Sequence, residues 1–507
     1  MRSHRLKCLV YASIVGSSFA TSNHESSAKE FHWLGDVDGG NALNADNWLE
    51  QPDPDNGVLP GPSDQLVLRW GDRGPTPLEY GSNSASYEHL LFNHADIGGG
   101  SVINGSGTLT FTRTGGLTNV DVKSIETQGG HRTSTINANV ESLGLVEARN
   151  GHDLVFNGTF KGTTIHAYRD DDQVTTSDVI FNGPVTLAGY NEAKFMTGTG
   201  TVAFNNEVFL DHTAGNSGFG IRNGMTMVLG ANFSALRLNP DGSGGLGLDT
   251  VDIYSTPGAI SGVRLERDGG VGYDTDLFAR YGGPGSGHDP NSKFDLNGYS
   301  DTVELLGTHP GANFIIDFGD ESGANSLLWH TTHHMAGTYQ VVNFEVGVDT
   351  LQLGPTGENW WTAGDTTDSG GGSPDIEVKK SQITINGVPY GAYNPSRTTP
   401  YWTLVDTNLS HNVELFNYVQ SNADFDGNHI VDGADFLIWQ RNVGIGTTPA
   451  QGDANHDGVV NQADLGIWRE TYGQAAAMAA ASAVPEPSTL GLACLAASAL
   501  FSRRLRS

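Results

Sequence analysis

Two short acidic segments late in the chain carry oxygen-bearing side chains at the spacing of a cation-binding loop. They span residues 424–435 and 453–464, so the second lies 29 residues after the first. In both, Asp or Asn occupies loop positions 1, 3, 5, 9 and 12, and a β-branched residue occupies position 7. Calcium takes about six to eight oxygen ligands from a loop of this length, with position 7 offering its backbone carbonyl. The predicted ligands are Asp424, Asp426, Asn428, Ile430, Asp432 and Asp435 in the first loop, and Asp453, Asn455, Asp457, Val459, Asn461 and Asp464 in the second.

The charge of these loops also favours a bound cation. Seven Asp lie between residues 424 and 464, where Arg441 is the one Lys or Arg. Clustered carboxylates repel one another and oppose compaction unless a cation neutralises them. The sequence therefore predicts two Ca²⁺ sites, and the alternative is an acidic, solvated segment.

A short apolar helix is expected after each loop. The apolar positions follow the spacing i, i+3, i+7, which places them on one helix face. They are Phe436, Trp439 and Val443 after the first loop, and Leu465, Trp468 and Tyr472 after the second. Asp435 and Asp464 would stand at the helix N-termini, where the helix dipole favours a carboxylate. Each unit is too small to bury its own apolar face, so the two faces are expected to pack together.

The duplicated loop and helix resemble a dockerin module over residues 422–473. In that family the paired loops bind Ca²⁺ and the module docks onto a cohesin, so the resemblance implies a cohesin-like or other surface protein as partner. His429 stands where the family usually has a Gly. The family's partner-reading pair is typically hydroxylic, whereas this chain has Gly433-Ala434 and Gln462-Ala463.

Both ends of the chain read as targeting segments. Residues 1–20 combine a basic start, an apolar stretch and the small-x-small sequence Ser18-Phe19-Ala20, as a secretory signal peptide does. After an Ala-rich linker at 474–483, residues 484–507 contain Pro485-Glu486-Pro487, an apolar run at 489–501 and terminal arginines. This order resembles a PEP-CTERM sorting tail, which implies recognition by an exosortase-like protease. The expected location is the cell surface or extracellular matrix after export through the inner membrane, with transient anchoring by the C-terminal helix.

The body, residues 31–415, is expected to be mainly β and to form a right-handed parallel β-helix. Apolar residues recur at intervals of 25, 20, 25, 23 and 25, each in a short strand that ends in polar or Gly residues. They are Phe111, Ile136, Phe156, Phe181, Phe204 and Leu229. Periods in the low twenties suit solenoid coils, and a β-sandwich is the alternative. Short phrases such as Phe294-Asp-Leu-Asn-Gly-Tyr resemble autotransporter-like β-strand-repeat proteins, which implies a passive surface role.

Composition narrows the function further. A net charge of −30 makes nucleic acid and anionic membranes poor partners. The two cysteines, Cys8 and Cys494, lie in the targeting segments, so the body has neither a disulfide framework nor a catalytic thiol. None of the common hydrolase, metalloprotease or phosphate-binding motifs occurs in the sequence.

Three functions remain open from the sequence. The favoured one is a non-catalytic exported surface or matrix protein with a calcium-binding docking module. The others are a polysaccharide-active hydrolase or lyase, and a carbohydrate-binding adhesin that would use aromatics such as Trp360-Trp361.

Overall fold

The fold is given by a computed structural model, in which the strands are numbered in chain order and belong to three sheets, A, B and C. The residues described are 29–34, 38–51, 58–68, 76–93, 100–113, 123–128, 132–149, 151–162, 164–167, 176–188, 194–211, 219–238, 242–273, 275–281, 283, 287–319, 324–331, 336–353, 380–391, 399–406, 411–416, 423–426, 431–454 and 459–472.

The three sheets contain sixteen, thirteen and eight strands. In spatial order, sheet A consists of β2 (Trp48–Gln51), β1 (Glu30–Trp33), β3 (Gln65–Leu68), β6 (His89–Asn93), β9 (Lys123–Gln128), β12 (Leu145–Ala148), β15 (Thr164–Ala167), β18 (Lys194–Gly198), β21 (Phe219–Arg222), β25 (Asp249–Tyr254), β27 (Thr275–Ala279), β29 (Asp301–Thr308), β31 (Ser326–Thr331), β33 (Thr350–Leu353), β37 (His411–Phe416) and β36 (Tyr401–Asp406). Sheet B consists of β35 (Val388–Pro389), β34 (Ile383–Ile385), β32 (Thr338–Val342), β30 (Asn313–Asp317), β28 (Asn291–Asp295), β26 (Gly262–Leu265), β22 (Thr226–Leu229), β19 (Thr201–Phe204), β16 (Val179–Phe181), β13 (His152–Phe156), β10 (Arg132–Ile136), β7 (Val102–Asn104) and β4 (Leu78–Glu79). Sheet C consists of β24 (Gly244–Leu246), β23 (Ser234–Leu238), β20 (Glu207–Asp211), β17 (Val185–Ala188), β14 (Phe160–Gly162), β11 (Asn139–Ser142), β8 (Thr108–Phe111) and β5 (Ala85–Tyr87).

The chain winds as a parallel solenoid. From β6 to β23 it visits sheets A, B and C in turn, so each strand pairs in parallel with the strand one coil later. From β25 to β34 the strands of the described residues belong to sheets A and B. Antiparallel pairs join β1 to β2, β23 to β24, β34 to β35, and β37 to both β33 and β36. The mainly β prediction is confirmed. The β-sandwich alternative is wrong, because its sheets would be antiparallel, and the right-handed sense of winding stays a prediction.

Apolar side chains stack from coil to coil inside the solenoid. In sheet B, Ile136, Phe156, Phe181, Phe204 and Leu229 are in register on successive strands, as their spacing predicted, and all are buried. The ring of Phe181 stacks on those of Phe156 and Phe204, with centroids 5.0 and 5.4 Å away.

The first member of the predicted row is wrong. Phe111 lies in sheet C and pairs with Ser142, whereas Ile103 is the sheet B partner of Ile136. The interval of 25 residues from Phe111 to Ile136 therefore measures a step between two sheets, and the true coil is 33 residues long.

A ladder of asparagines marks the corner between sheets B and C. Each Asn donates from its side-chain Nδ2 to the Oδ1 of the Asn one coil before it, at 2.6–2.8 Å. The members are Asn104, Asn137, Asn157, Asn182 and Asn205. The ladder begins where Asn104 donates to Glu79 Oε1 at 2.6 Å. It reaches the coil of Gly230, where a Cβ atom would lie 1.9 Å from Asn205 Oδ1.

The C-terminal part of the described chain has its own small core and two α-helices. These are α1 (Gly433–Asn442) and α2 (Gln462–Thr471), and single 3₁₀ turns occur at Pro449–Gln451 and, in the body, at Ala45–Asn47. The helices pack around a separate buried cluster that includes Val431, Trp439 and Leu465. The structure therefore has a β-solenoid body and a compact helical unit.

Candidate metal centre

The first acidic loop brings three of its predicted ligands together. Asp424, Asp426 and Asp435 have carboxylate oxygens within 4.8 Å of one another. Two oxygens bound to one Ca²⁺ at about 2.3–2.6 Å each can stand up to about 5 Å apart. Asp435 is fully buried, and a buried carboxylate needs compensating partners. The donor set and its spacing therefore fit a single hard cation.

Asp435 also links the two ends of the first loop by hydrogen bonds. One carboxylate oxygen accepts the backbone N–H groups of Phe425 and Asp426 at 2.7 and 3.2 Å, and the other accepts the N–H of Asp432 at 2.8 Å. These bonds join the start of the loop to its end. A carboxylate oxygen has a second lone-pair direction, so the same group can orient the loop and face a cation.

Helix α1 begins where it does because the loop supplies its cap. Asp432 is the N-cap residue, and its side chain accepts the N–H of Ala434 at 2.6 Å. Asp435, three residues later, completes a capping box. Asn461 and Asp464 repeat this box at α2, where Asn461 accepts the N–H of Ala463 at 2.7 Å. The prediction that Asp435 and Asp464 stand at helix N-termini is confirmed.

The second loop repeats the buried acid at its end. Asp464 is fully buried and accepts the N–H groups of Ala454 and Asn461 at 2.8 and 2.7 Å. Asp453 is buried as well. Val459 is exposed, and its carbonyl, the predicted ligand atom, accepts the side-chain amide of Asn461 at 3.1 Å.

Four of the predicted ligands lie outside the described residues. They are Asn428 and Ile430 in the first loop, and Asn455 and Asp457 in the second. Their coordination stays a prediction from the sequence, as does a bound ion at either loop.

The two helices pack together through their aromatic faces, with two corrections to the predicted faces. The rings of Phe436 and Trp468 lie 5.0 Å apart. Val443 and Tyr472 were expected on these faces, but they are C-cap residues and are 46% and 58% exposed. The helices end one residue before the i+7 position, so the chain turns away there. Tyr472 still contacts Trp468 edge-on at 5.0 Å.

Sequence reasoning gave no role to the eighth loop position. Val431 and Val460 occupy it, and both are buried in the small core. The signal that could have found them is the recurrence of Val at the same position of both copies.

The body carries a second cluster of chemistry-bearing side chains on the outer face of sheet A. Arg222 lies over the ring of Tyr254 at 4.7 Å, and Arg280 lies over Phe278 at 4.6 Å. Arg280 Nε also donates to Asp252 Oδ1 at 2.6 Å. The alternate residues of these strands are buried in the core, which places the five side chains on the outside.

A serine and a histidine meet inside the body. Ser134 Oγ lies 2.8 Å from His152 Nε2 on the neighbouring coil. Both residues are fully buried, so this pair is closed to a substrate and joins two coils instead.

Comparison with known proteins identifies the tail. The family model described as the PEP-CTERM protein-sorting motif matches residues 483–507. No curated protein and no solved structure matches this chain.

Along the described part of the chain, no helix is long and apolar enough to cross a membrane. The predicted signal peptide, linker and apolar tail helix lie outside the described residues. The chain carries the sorting signal of exported, surface-associated proteins, a motif that an exosortase recognises.

Proposed function

We propose that this chain is a non-catalytic exported protein of the bacterial surface or extracellular matrix, with a β-solenoid body and a calcium-binding, dockerin-like module. One observation carries the calcium assignment: the carboxylates of Asp424, Asp426 and Asp435 converge within 4.8 Å beside the start of α1. The matching capping boxes and buried acids of the two halves support a second site in the second loop.

Calcium, when bound, would supply the positive charge that neutralises these loops. The chain's own residues determine the conformation of the loops. Asp435 and Asp464 hold their loops closed by accepting backbone N–H groups from both loop ends. Because a preformed site rarely persists in an unfolded chain, cation binding and folding of the module should be coupled.

The module would dock onto a cohesin-like or other surface protein. Gly433, Ala434, Gln462 and Ala463 occupy the partner-reading positions of the resembled family, and all four are exposed. Three of them are Gly or Ala, which leaves Gln462 as the one polar side chain of the set.

Hydrogen exchange on the full-length protein tests the calcium assignment. With excess Ca²⁺, backbone amides of α1 and α2 should be protected. Addition of a chelator should raise their exchange at least about tenfold, because the folded module loses the ligand that stabilises it. The amides of the solenoid strands should not change.

A charge variant sharpens the experiment. Asp426→Asn, at the exposed acid of the cluster, leaves the amide bonds of Asp435 in place but removes a ligand charge, so it should need at least about tenfold more Ca²⁺ for the same protection. Asp46→Asn, at an exposed acid of the body, is the matched control and should behave as wild type. Equal protection of the helices with and without chelator would refute calcium binding.

The cluster of Arg222, Asp252, Tyr254, Phe278 and Arg280 favours a second candidate function, binding of an acidic polysaccharide by the body. The two rings hold the guanidinium groups that lie over them, and a guanidinium group binds a carboxylate in a bidentate manner. Arg280 and Asp252 are 23% and 24% exposed, so they remain within reach of a ligand. Arg222 and Arg280 flank the strand of Tyr254 from its two sides, so two cationic groups lie within three adjacent strands of a chain whose net charge is −30.

Calorimetry with polygalacturonate and with neutral dextran tests this candidate. The full-length protein should bind the acidic polymer alone. Arg280→Gln should weaken that binding about tenfold or more, since it removes one charge-assisted contact. Lys161→Gln, at an exposed lysine on the outside of sheet C, should have no effect. Equal binding of both polymers, or none, would exclude the acidic-polysaccharide site.

A further inference from the structure

Two indole side chains cross between the halves of the helical module. Trp439 of α1 donates its Nε1–H to the backbone carbonyl of Asn461 at 2.8 Å. Trp468 of α2 donates to the backbone carbonyl of Asp432, also at 2.8 Å. Asp432 and Asn461 hold the same ninth position of their loops. Each helix is therefore bonded to the loop that precedes the other helix.

The two acceptor residues are the ones that connect each loop to its buried acid. The backbone N–H of Asp432 donates to Asp435, and that of Asn461 donates to Asp464, at 2.8 and 2.7 Å. Both residues also cap their helices. A shift of the indole would thus reach the carboxylate at loop position 12 through a single intervening residue.

The surroundings of the indoles make independent movement of the two halves costly. Trp439 is 8% exposed and shares one buried cluster with Val431 and Val460 of the two loops. Phe436 of α1 fills the space against Trp468 of α2. Close-packed side chains of this kind have few alternative arrangements. An ordered loop in one half therefore fixes the position of the helix that is bonded to it from the other half.

We propose that the crossed indole bonds couple the two cation sites, so that filling one loop raises the affinity of the other. In this role Trp439 is a positioning residue for the second loop, and Trp468 is one for the first. The inference rests on the proposed calcium function and adds to it a cooperative response: the module switches between empty and doubly filled forms over a narrow range of calcium concentration.

Calcium titration of the full-length protein by calorimetry tests the coupling. The wild type should bind two Ca²⁺ with positive cooperativity. Asp453→Asn disables the second site, and it should lower the affinity of the first about 5-fold or more, which is the range of an ordinary coupling energy. In a Trp439→Phe, Trp468→Phe background, the same Asp453→Asn change should alter the affinity of the first site by less than about twofold. Phenylalanine keeps an aromatic ring in place but has no N–H to donate.

A packing variant and a folding control separate coupling through the indole hydrogen bonds from coupling through helix packing or misfolding. Phe436→Leu loosens the packing between the helices but leaves both indole donors in place, so it should lower the coupling factor less than the double Trp→Phe change does. Hydrogen exchange at saturating Ca²⁺ checks that every variant is folded. An equal coupling factor with and without the indole donors, or an equal loss in Phe436→Leu, would overturn the proposal. Two independent calcium sites in the wild type would overturn the coupling alone, whereas no calcium binding would overturn the proposed function as well.

Discussion

At the scale of single residues, glycines at the solenoid corners define how closely the coils approach. A Cβ atom at Gly183 would lie 2.1 Å from the backbone carbonyl oxygen of Gly158, one coil earlier. A Cβ at Gly158 would lie 2.3 Å from the carbonyl oxygen of Ala138 in the coil before that. Backbone atoms cannot move aside as the end of a side chain can, so these positions require glycine because of the neighbouring coil.

Substitution of one corner glycine tests this close approach. Gly183→Ala should destabilise the body by about 1–3 kcal/mol or more, because the added methyl group forces two coils apart. Gly433→Ala is the control, since no atom lies within 4 Å of the added Cβ and the residue begins a helix. It should leave stability within about 0.5 kcal/mol of wild type. Denaturant unfolding of both variants measures the difference, and an equal stability would contradict the packing argument.

His89 is a second residue whose surroundings decide its chemistry. Its side chain is 4% exposed, and within the described part of the chain neither ring nitrogen makes a hydrogen bond. Burial, with smaller effects from the charges of Arg113 and Lys123, lowers the pKa of His89 to about 3. The unfolded chain therefore binds a proton at this residue between about pH 6.5 and 3 that the folded chain rejects. The contribution of neutral His89 is complete above that window and is lost as the pH falls through it.

The pH dependence of unfolding should reveal this residue. Between pH 6 and 4, His89 should remove about 1.4 kcal/mol of unfolding free energy for each unit that the pH decreases. His89→Gln has no titrating group there, so its stability should decrease with acid less steeply by that amount. Chemical denaturation of wild type and variant across this range gives both slopes. Parallel slopes would show that His89 is protonated in the folded state.

At the scale of elements, the sequence predicted the stacked core better than it predicted the path between sheets. Ile136, Phe156, Phe181 and their successors could be aligned because each ends a short apolar strand at a regular interval. Phe111 shares that local pattern, yet it lies in a different sheet. Periodicity reports which side chains point inwards, but the corner at which each strand begins depends on loop lengths that vary from coil to coil.

The phenylalanine stack supplies a prediction for one element. Phe181→Ala should destabilise the body by about 3–5 kcal/mol, because it removes a buried ring from between two others. Leu246→Ala, at a side chain that is 61% exposed, should change stability by no more than about 0.5 kcal/mol. Thermal or chemical unfolding measures the stability of both variants. Similar effects would mean that the stacked rings contribute little to the stability of the core.

In the helical module too, local features could be predicted from the sequence, whereas contacts between the two halves could not. The acids of both loops, their places at the helix starts and the facing aromatics follow from residue types and a repeat of 29. The indole bonds to Asp432 and Asn461 could not be inferred, because they join residues 36 and 22 apart through a packing geometry that the spacing does not encode.

At the scale of the whole molecule, two units with different sources of stability occur in one chain. The body has a continuous apolar core and parallel strand pairing along its coils. The described part of the module has a core of seven buried side chains, and the module has a high density of acidic groups. The proposed function assigns a stabilising cation to the second unit and none to the first. Under that proposal, a change of calcium outside the cell would alter the stability of the helical module and leave that of the body unchanged.

The asparagine ladder has a consequence for how such a chain can vary in length. Each inner asparagine of the ladder bonds to the asparagines of the coils on either side, and adjoining parallel strands are about 4.8 Å apart. Duplication or deletion of one whole coil would re-form the same amide contacts across the junction and change the reach of the body by that one increment. Evolution can therefore lengthen or shorten the solenoid by one coil at a time without a change at either end.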